Sequence, residues 1–221
     1  MPSIIIVGAG TGLGLSVARR FQADGFAVAV IARSAATVDA VVTALRESDP
    51  STTSVGIVAD STDETALRSA LDEAVAAVGV PDVLLYNAGV IRTDKIGELN
   101  AQQLLDTYAV NVVGAASTTA HLGPQMAARG SGSILITGGM ARPDSDWVSL
   151  SLGKFGVRTL TQLLRDQFAP SGLHVSTIAV TEVIAPGSAY DPVVIAHLYA
   201  EVHAQAPSEW QLEHVFEPQN D

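Results

Sequence analysis

In the stretch WVSLSLGKFGV, Lys154 is the residue best suited to chemistry in this sequence. A helical amine that helps move a proton to or from a small substrate needs an acidic hydroxyl at i−4, where the two side chains share a face. Leu150 stands there, with no proton to give. Ser151, three residues before the lysine, shares that face, and Ser149 is near it, but an alkyl hydroxyl is a far weaker acid than a phenol. The four tyrosines, Tyr86, Tyr108, Tyr190 and Tyr199, do not have a lysine four positions later. Thr137, Asp144, Asp146 and Trp147 lie on the connection before this helix, able to reach a cleft or simply solvated. With no cysteine in the chain, thiolate chemistry, disulfides and cysteine zinc sites are excluded. His197 and His203 are six apart and point to different helix faces, so with His214 they read as surface histidines, and no metal site is expected.

A second chemical signal is GAGTGLG at 8 to 14, directly after IIIV and before LSVARRF. Gly8, Gly10, Gly12 and Gly14 let the backbone turn sharply and approach a pyrophosphate, while the helix that Thr11 and Leu13 lead into offers its N-terminal N–H groups to the charge. The plain alternative is a turn that only packs a helix on a strand. In the second strand's closing residues, Ala32, Arg33 and Ser34, no acid awaits the 2′-hydroxyl of NAD, whereas an arginine fork and a hydroxyl suit a 2′-phosphate. NADP(H) is favoured over NAD(H), the alternative being an arginine that is merely exposed.

These residues need a scaffold, and the chain supplies one by alternation. The apolar runs SIIIVG, FAVAVIA, SVGIVA, DVLLYNAG, GSILITG and HVSTIAV alternate with helical patterns near 13 to 24, 35 to 47, 63 to 78, 100 to 128 and 148 to 169. Gly123 and Pro124 are the expected break in the long fourth helix. A further helix is capped by Asp191, with Pro192 at its first position. Parallel right-handed crossovers then give an α/β, Rossmann-type doubly wound parallel sheet with its crevice at the carboxyl ends of the strands. With 221 residues, one domain over 1 to 221 is expected, with a short helical C-terminal segment from about 185. Hydrophobic residues make 48% of the chain and charged residues 16%, and mean hydropathy is +0.30, as befits strands buried on both faces. A net charge of −11 argues against nucleic acid and anionic membrane as partners. The N-terminus reads as a strand rather than a signal peptide, and a cytoplasmic location is expected.

The glycine spacing, together with YNAG at 86 to 89 and YAVNVVG at 108 to 114, resembles the short-chain dehydrogenase/reductase (SDR) family over nearly the whole chain. The resemblance implies that Asp60, with Ser61 beside it, meets the adenine of the cofactor, where a helix cap or turn residue is the alternative. It also implies that Asn87, Ala88 and Gly89 line the cofactor. Asn111 would be the active-site asparagine that kinks its helix and holds a water. Lys154 would bind the nicotinamide ribose and lower the pKa of a neighbouring phenol. The sequence departs from the family at its chemical centre: Gly138 and Gly139 stand where a pair ending in the catalytic serine is expected, and Leu150 where the tyrosine is. Val180 and Thr181 replace the Pro-Gly after the sixth strand, although Val183 still offers its backbone to the carboxamide. APG at 185 to 187 is that element displaced or only a turn, and the substrate lid is expected to be reduced. Three functions follow: an NADP(H)-dependent oxidoreductase with an altered site acting on an unknown small molecule, a cofactor-binding pseudoenzyme that senses or scaffolds, and an interaction subunit with an empty site. Residual activity would suit a substrate that needs little acid help, such as an iminium or a conjugated carbonyl. Apolar character on more than one face of the fourth and fifth helices, together with the resemblance, predicts a homodimer or homotetramer.

Overall fold

β-Branched and small apolar residues dominate the strands, most of which are covered on both faces. In the computed structural model, which describes residues 1–218, these are β1 (Ser3–Val7), β2 (Ala27–Ala32), β3 (Ser54–Val58), β4 (Val83–Tyr86), β5 (Gly132–Gly139) and β6 (Leu173–Val180). They form one parallel sheet in the order β3-β2-β1-β4-β5-β6, continued at its edge by β7 (Glu213–Val215). That seventh strand lies in a stretch too short and polar, EHV, to be read from the sequence.

Helices α1 (Leu13–Ala23), α2 (Ala35–Ser48), α3 (Glu64–Val78), α4 (Ala101–Tyr108), α5 (Gly114–Arg129), α6 (Val148–Phe168) and α7 (Pro192–Ala204) make the outer layers. One core joins α1, α2 and α7 to the sheet through Phe21, Leu45 and Tyr199, and the other joins α3, α5 and α6 through Leu71, Leu122 and Phe168. Ile4, Ile5 and Ile6 of β1 are wholly buried between them, each side chain saving about 1.5 to 3 kcal/mol relative to water exposure. Caps mark the starts as expected: Asp63 accepts from Ala66 N at 3.0 Å and Asp191 from Val193 N at 2.8 Å.

Two sequence expectations are corrected. Gly123 and Pro124 do not break the long helix, since α5 runs through both. The break comes earlier, in a π-helical turn over Ala109–Val113, which contains Asn111, the residue at which the sequence resemblance implied a kink. The histidines are not all on the surface. His203 packs against Phe26 with ring centroids 5.6 Å apart and meets Ser133 Oγ at 2.8 Å, and His214 is buried. Of the three only His197 is exposed. The C-terminal segment docks on its own core: Trp210 stacks on His174 at 4.9 Å, and Phe216 is buried beside Tyr190.

Candidate functional site

Sheet order reverses between β1 and β4, leaving a crevice above their carboxyl ends. Gly8 stands at this point with φ +89°, and a Cβ on it would lie 2.2 Å from Ala88 N. Its carbonyl accepts from Asn87 Nδ2 at 2.9 Å, which ties the β1 turn to the β4 turn. A Cβ on Gly14 would come within 2.8 Å of Ala9 Cα, so glycine there seats α1 directly on the turn. The N-cap of α1 is Gly12, with no side chain over the helix end. The backbone thus forms a tight cradle in which Gly8 and Gly14 are required by protein contacts while Gly10 and Gly12 face open space, and its helix N-terminus suits a pyrophosphate.

From this cradle a cavity of about 270 Å³ runs along the ends of β1 and β2, lined by Gly8, Gly10, Arg33, Ser34, Ser61 and Asn87 among others. Arg33 is the charged residue in its wall among those described, and no described carboxylate lines it. Thr37, on the first turn of α2, adds a hydroxyl that the sequence reading missed; its place three residues after Ser34, on the same helix face, was the available signal. Asp60 is not in the lining. One of its oxygens accepts from Thr62 N at 2.9 Å and Thr62 Oγ1 at 2.8 Å, the turn role that had been left open. Neither Thr11, which is exposed, nor Gly12 reaches the cavity walls.

The crevice continues into a larger cavity of about 620 Å³, whose walls include Leu13, Asn87, Gly89, Gly139, Leu150, Lys154 and Val183. Lys154 Nζ donates to Thr137 O at 3.0 Å. Burial, and after it the nearby charge of Arg158, holds this amine down at about 8. Thr137 Oγ1 in turn donates to Asn87 Oδ1 at 2.8 Å and meets the hydroxyl of the wholly buried Tyr199 at 2.9 Å. Tyr199 was missed as a supporting residue because nothing in the sequence places α7 under β5. Trp147, Asp144 and Thr137 line the cavity, whereas Asp146 pairs instead with Lys95 at 3.1 Å.

Ser151 and Ser149 do not stand in for the tyrosine. Ser151 Oγ accepts from Asp144 N at 3.0 Å and turns to the loop, and Ser149 Oγ donates to the buried Asp94 at 2.6 Å. Neither lines the cavity. Beside Gly139 lies Met140, the non-glycine residue with positive φ (59°) among those described, its carbonyl fixed by Arg158 Nη2 at 2.7 Å. A Cβ on Gly139 would lie 2.9 Å from Val180 O, so β5 and β6 close tightly around the missing hydroxyl.

The π-helical turn carries Asn111 inward. Its Oδ1 accepts from Val90 N at 2.7 Å and its Nδ2 donates to Val90 O at 3.3 Å, so the amide clamps the loop after β4 rather than lining either cavity. Gly153 allows α6 to approach, since a Cβ there would sit 2.7 Å from Asn111 Nδ2. Tyr86 donates to Val110 O in the widened turn at 2.5 Å, and burial pushes its hydroxyl up to about 12. Tyr86 is therefore a structural phenol. Among the described residues no three His, Asp or Glu side chains gather as a metal site, and no helix is long and apolar enough to cross a membrane.

A family model described as short chain dehydrogenase matches residues 2–189. The cis-4-hydroxycyclohexanecarboxylate dehydrogenase of Sinomonas cyclohexanicum is 33% identical over 205 residues, covering 90% of this chain and 78% of that protein. A metagenomic short-chain oxidoreductase solved with NADP superposes with a TM-score of 0.88 at 23% identity, over 99% of this chain and 98% of that one. The NADPH-bound short chain oxidoreductase of Pseudomonas aeruginosa, described as containing an atypical catalytic center, gives a TM-score of 0.86 at 20% identity, over 96% and 94%.

Proposed function

The chain belongs to the short chain dehydrogenase family, and on that premise we propose that it is an NADP(H)-binding oxidoreductase with an altered proton-donating site. A nicotinamide dinucleotide fits the residues present, because the cradle at Gly8 and Gly14 admits backbone-close phosphate and the walls continue past Asn87 and Gly89 to Lys154. Bound there, the reduced cofactor supplies a hydride. The observation that carries the NADP preference is the lining of the smaller cavity, where Arg33, Ser34 and Thr37 stand with no carboxylate. Arg33 would meet the 2′-phosphate, Asn87 and Gly89 would position the middle of the cofactor, and Val183 would flank its carboxamide end.

Removing the arginine tests this. Losing a charge-assisted phosphate contact of about 1.5 to 3 kcal/mol should weaken NADPH binding by about ten- to hundredfold in Arg33→Ala, with NADH binding little changed. Equal NADPH dissociation constants for the two proteins would refute the assignment.

A second reading, a cofactor-binding pseudoenzyme that senses or scaffolds, is favoured by one observation: Leu150 and Gly139 occupy the wall beside Lys154, and the described hydroxyls that line this cavity are those of Thr137, which already donates to Asn87, and Thr181, beyond the end of β6. The Pseudomonas aeruginosa structure shows that a chain of this fold can combine an atypical catalytic center with bound NADPH. NADPH binding without turnover across a panel of carbonyls and alcohols would select this reading.

The exposed Leu105 on α4, Val113 beside it, and Leu152 and Leu163 on α6 support assembly through these helices into a homodimer or homotetramer, since an apolar second face is best covered by another copy. Light scattering at micromolar concentration should give at least twice the chain mass of 22.8 kDa; a stable monomer would exclude the assembly. The absence of cysteine supports a reducing compartment such as the cytoplasm.

A further inference from the structure

We propose that Lys154 is a covalent capture site for α,β-unsaturated aldehydes and ketones, forming an imine through its Nζ with a substrate held in the 620 Å³ cavity. The inference rests on the oxidoreductase reading for its hydride source, while the capture itself needs no cofactor.

The geometry supports a nucleophilic amine rather than an ion-paired one. Lys154 Nζ has Thr137 O as its hydrogen-bond partner, no carboxylate lies within salt-bridge distance of it among the described residues, and its neighbours on the wall include Gly138, Gly139, Leu150 and Val180. Glycine at 139 leaves the flank of the lysine stem bare, because a Cβ there would sit 3.6 Å from Lys154 Cε. Ile91, Met140, Trp147 and Ile184 give the cavity apolar and aromatic surface suited to a conjugated carbonyl, and Arg142, Asp144 and Glu182 add charged groups to its wall. Burial also keeps a sizeable share of the amine uncharged near pH 8, the condition a Schiff-base lysine requires.

The chemistry closes without an external acid of the missing kind. The amine lone pair attacks the carbonyl carbon, the carbonyl electrons move to oxygen, and the carbinolamine loses water to leave a C=N bond. Once protonated, this iminium already carries the positive charge that the serine and tyrosine hydroxyls would otherwise have to induce. In a conjugated iminium the β carbon accepts the two electrons and hydrogen of a hydride from reduced nicotinamide. The resulting enamine then takes up a proton at its α carbon, and water releases the saturated carbonyl compound and the free amine. Hydride at the imine carbon itself would leave the lysine alkylated, so unsaturated carbonyls are the class that permits turnover.

The sequence makes the test clean, since Lys95 and Lys154 are its two lysines. Lys95 is exposed, but its ion pair with Asp146 raises its pKa. The cofactor-free protein is incubated at pH 8 with cinnamaldehyde, reduced with borohydride, digested and mapped by mass. Reduced-imine adducts, which have lost the aldehyde oxygen, should form on Lys154 at least tenfold more than on Lys95. In urea-unfolded protein that preference should vanish. Equal labelling of the two lysines in the folded protein, an oxygen-retaining conjugate adduct at Lys154, or a preference that persists after unfolding would each overturn the proposal. A parallel NADPH titration separates the two readings: failed NADPH binding with Lys154 labelled removes the cofactor reading and leaves the capture site standing, and the reverse pattern removes the capture site alone.

Discussion

Leu150→Tyr is expected to raise the reduction of simple ketones by about a hundredfold or more, with NADPH affinity held within a few fold. Position 150 lies one turn before Lys154 on α6 and lines the same cavity, so a phenol there would point at the reacting space. General acid catalysis contributes about 10² to 10⁴-fold, and the ammonium form of Lys154 would pull the phenol below its ordinary value near 10. The serine is harder to restore. A Cβ at 139 meets Val180 O at 2.9 Å, so Gly139→Ser must push β5 from β6, and the double variant should gain less than its chemistry alone suggests. Steady-state kinetics on a ketone panel decide the matter. Wild-type turnover on the order of 10 per second, an ordinary enzyme rate, would mean that another group supplies the proton, and no gain from the tyrosine would mean that Leu150 does not face the reaction.

Acid should destabilise this protein well before its carboxylates titrate. His174 is 2% exposed, stacks on Trp210, and finds no hydrogen-bond partner for Nε2, as does the neighbouring His214 6.1 Å away. Burial first, and the proximity of His214 second, lower His174 to about 4, and burial lowers His203 and His214 in the same direction. The unfolded chain therefore binds protons more readily than the folded one over this range. Stability is full above the unfolded value of about 6.5 and declines as pH falls, until the slope from His174 ends near 4. For this residue alone the loss reaches about 3 kcal/mol below pH 4, and about 2 kcal/mol by pH 5. Urea unfolding at pH 7.5 and pH 5 measures it. His174→Phe keeps the stack on Trp210 and should flatten the pH dependence by that amount; an unchanged slope would mean that the imidazole is already hydrated.

Local signals carried much of this molecule in its sequence. Six strands and the ends of most helices were legible because β-branched runs, caps and glycine turns act within a few residues, and a parallel sheet follows from their alternation. The need for glycine at 8 and 14 was identifiable for the same reason: the positive φ at Gly8 and the close approach at both are demands on the glycine itself. The missing chemistry was equally local, since Leu150 stands four residues from Lys154 in any helix. What the sequence alone could not settle depended on groups distant along the chain. Pro124 and Gly123 looked like the helix break, yet the π-helical turn falls over Ala109–Val113, where Tyr86 from β4 satisfies Val110 O and Asn111 grips the loop after β4. Asp60 and Thr37 are exceptions, since Asp60 is a turn residue through Thr62, two positions on, and Thr37 follows Ser34 by three on one helix face. His214, placed at the surface in the sequence reading, became a core group because β7 adds to the sheet edge and carries it against His174, and His203 left the surface because α7 packs it on Phe26. Sheet pairing and burial are properties of surfaces brought together from far apart in the chain, and only the tertiary structure decided that Lys154 donates to Thr137 O at the wall of a cavity and makes no ion pair with a carboxylate among the described residues.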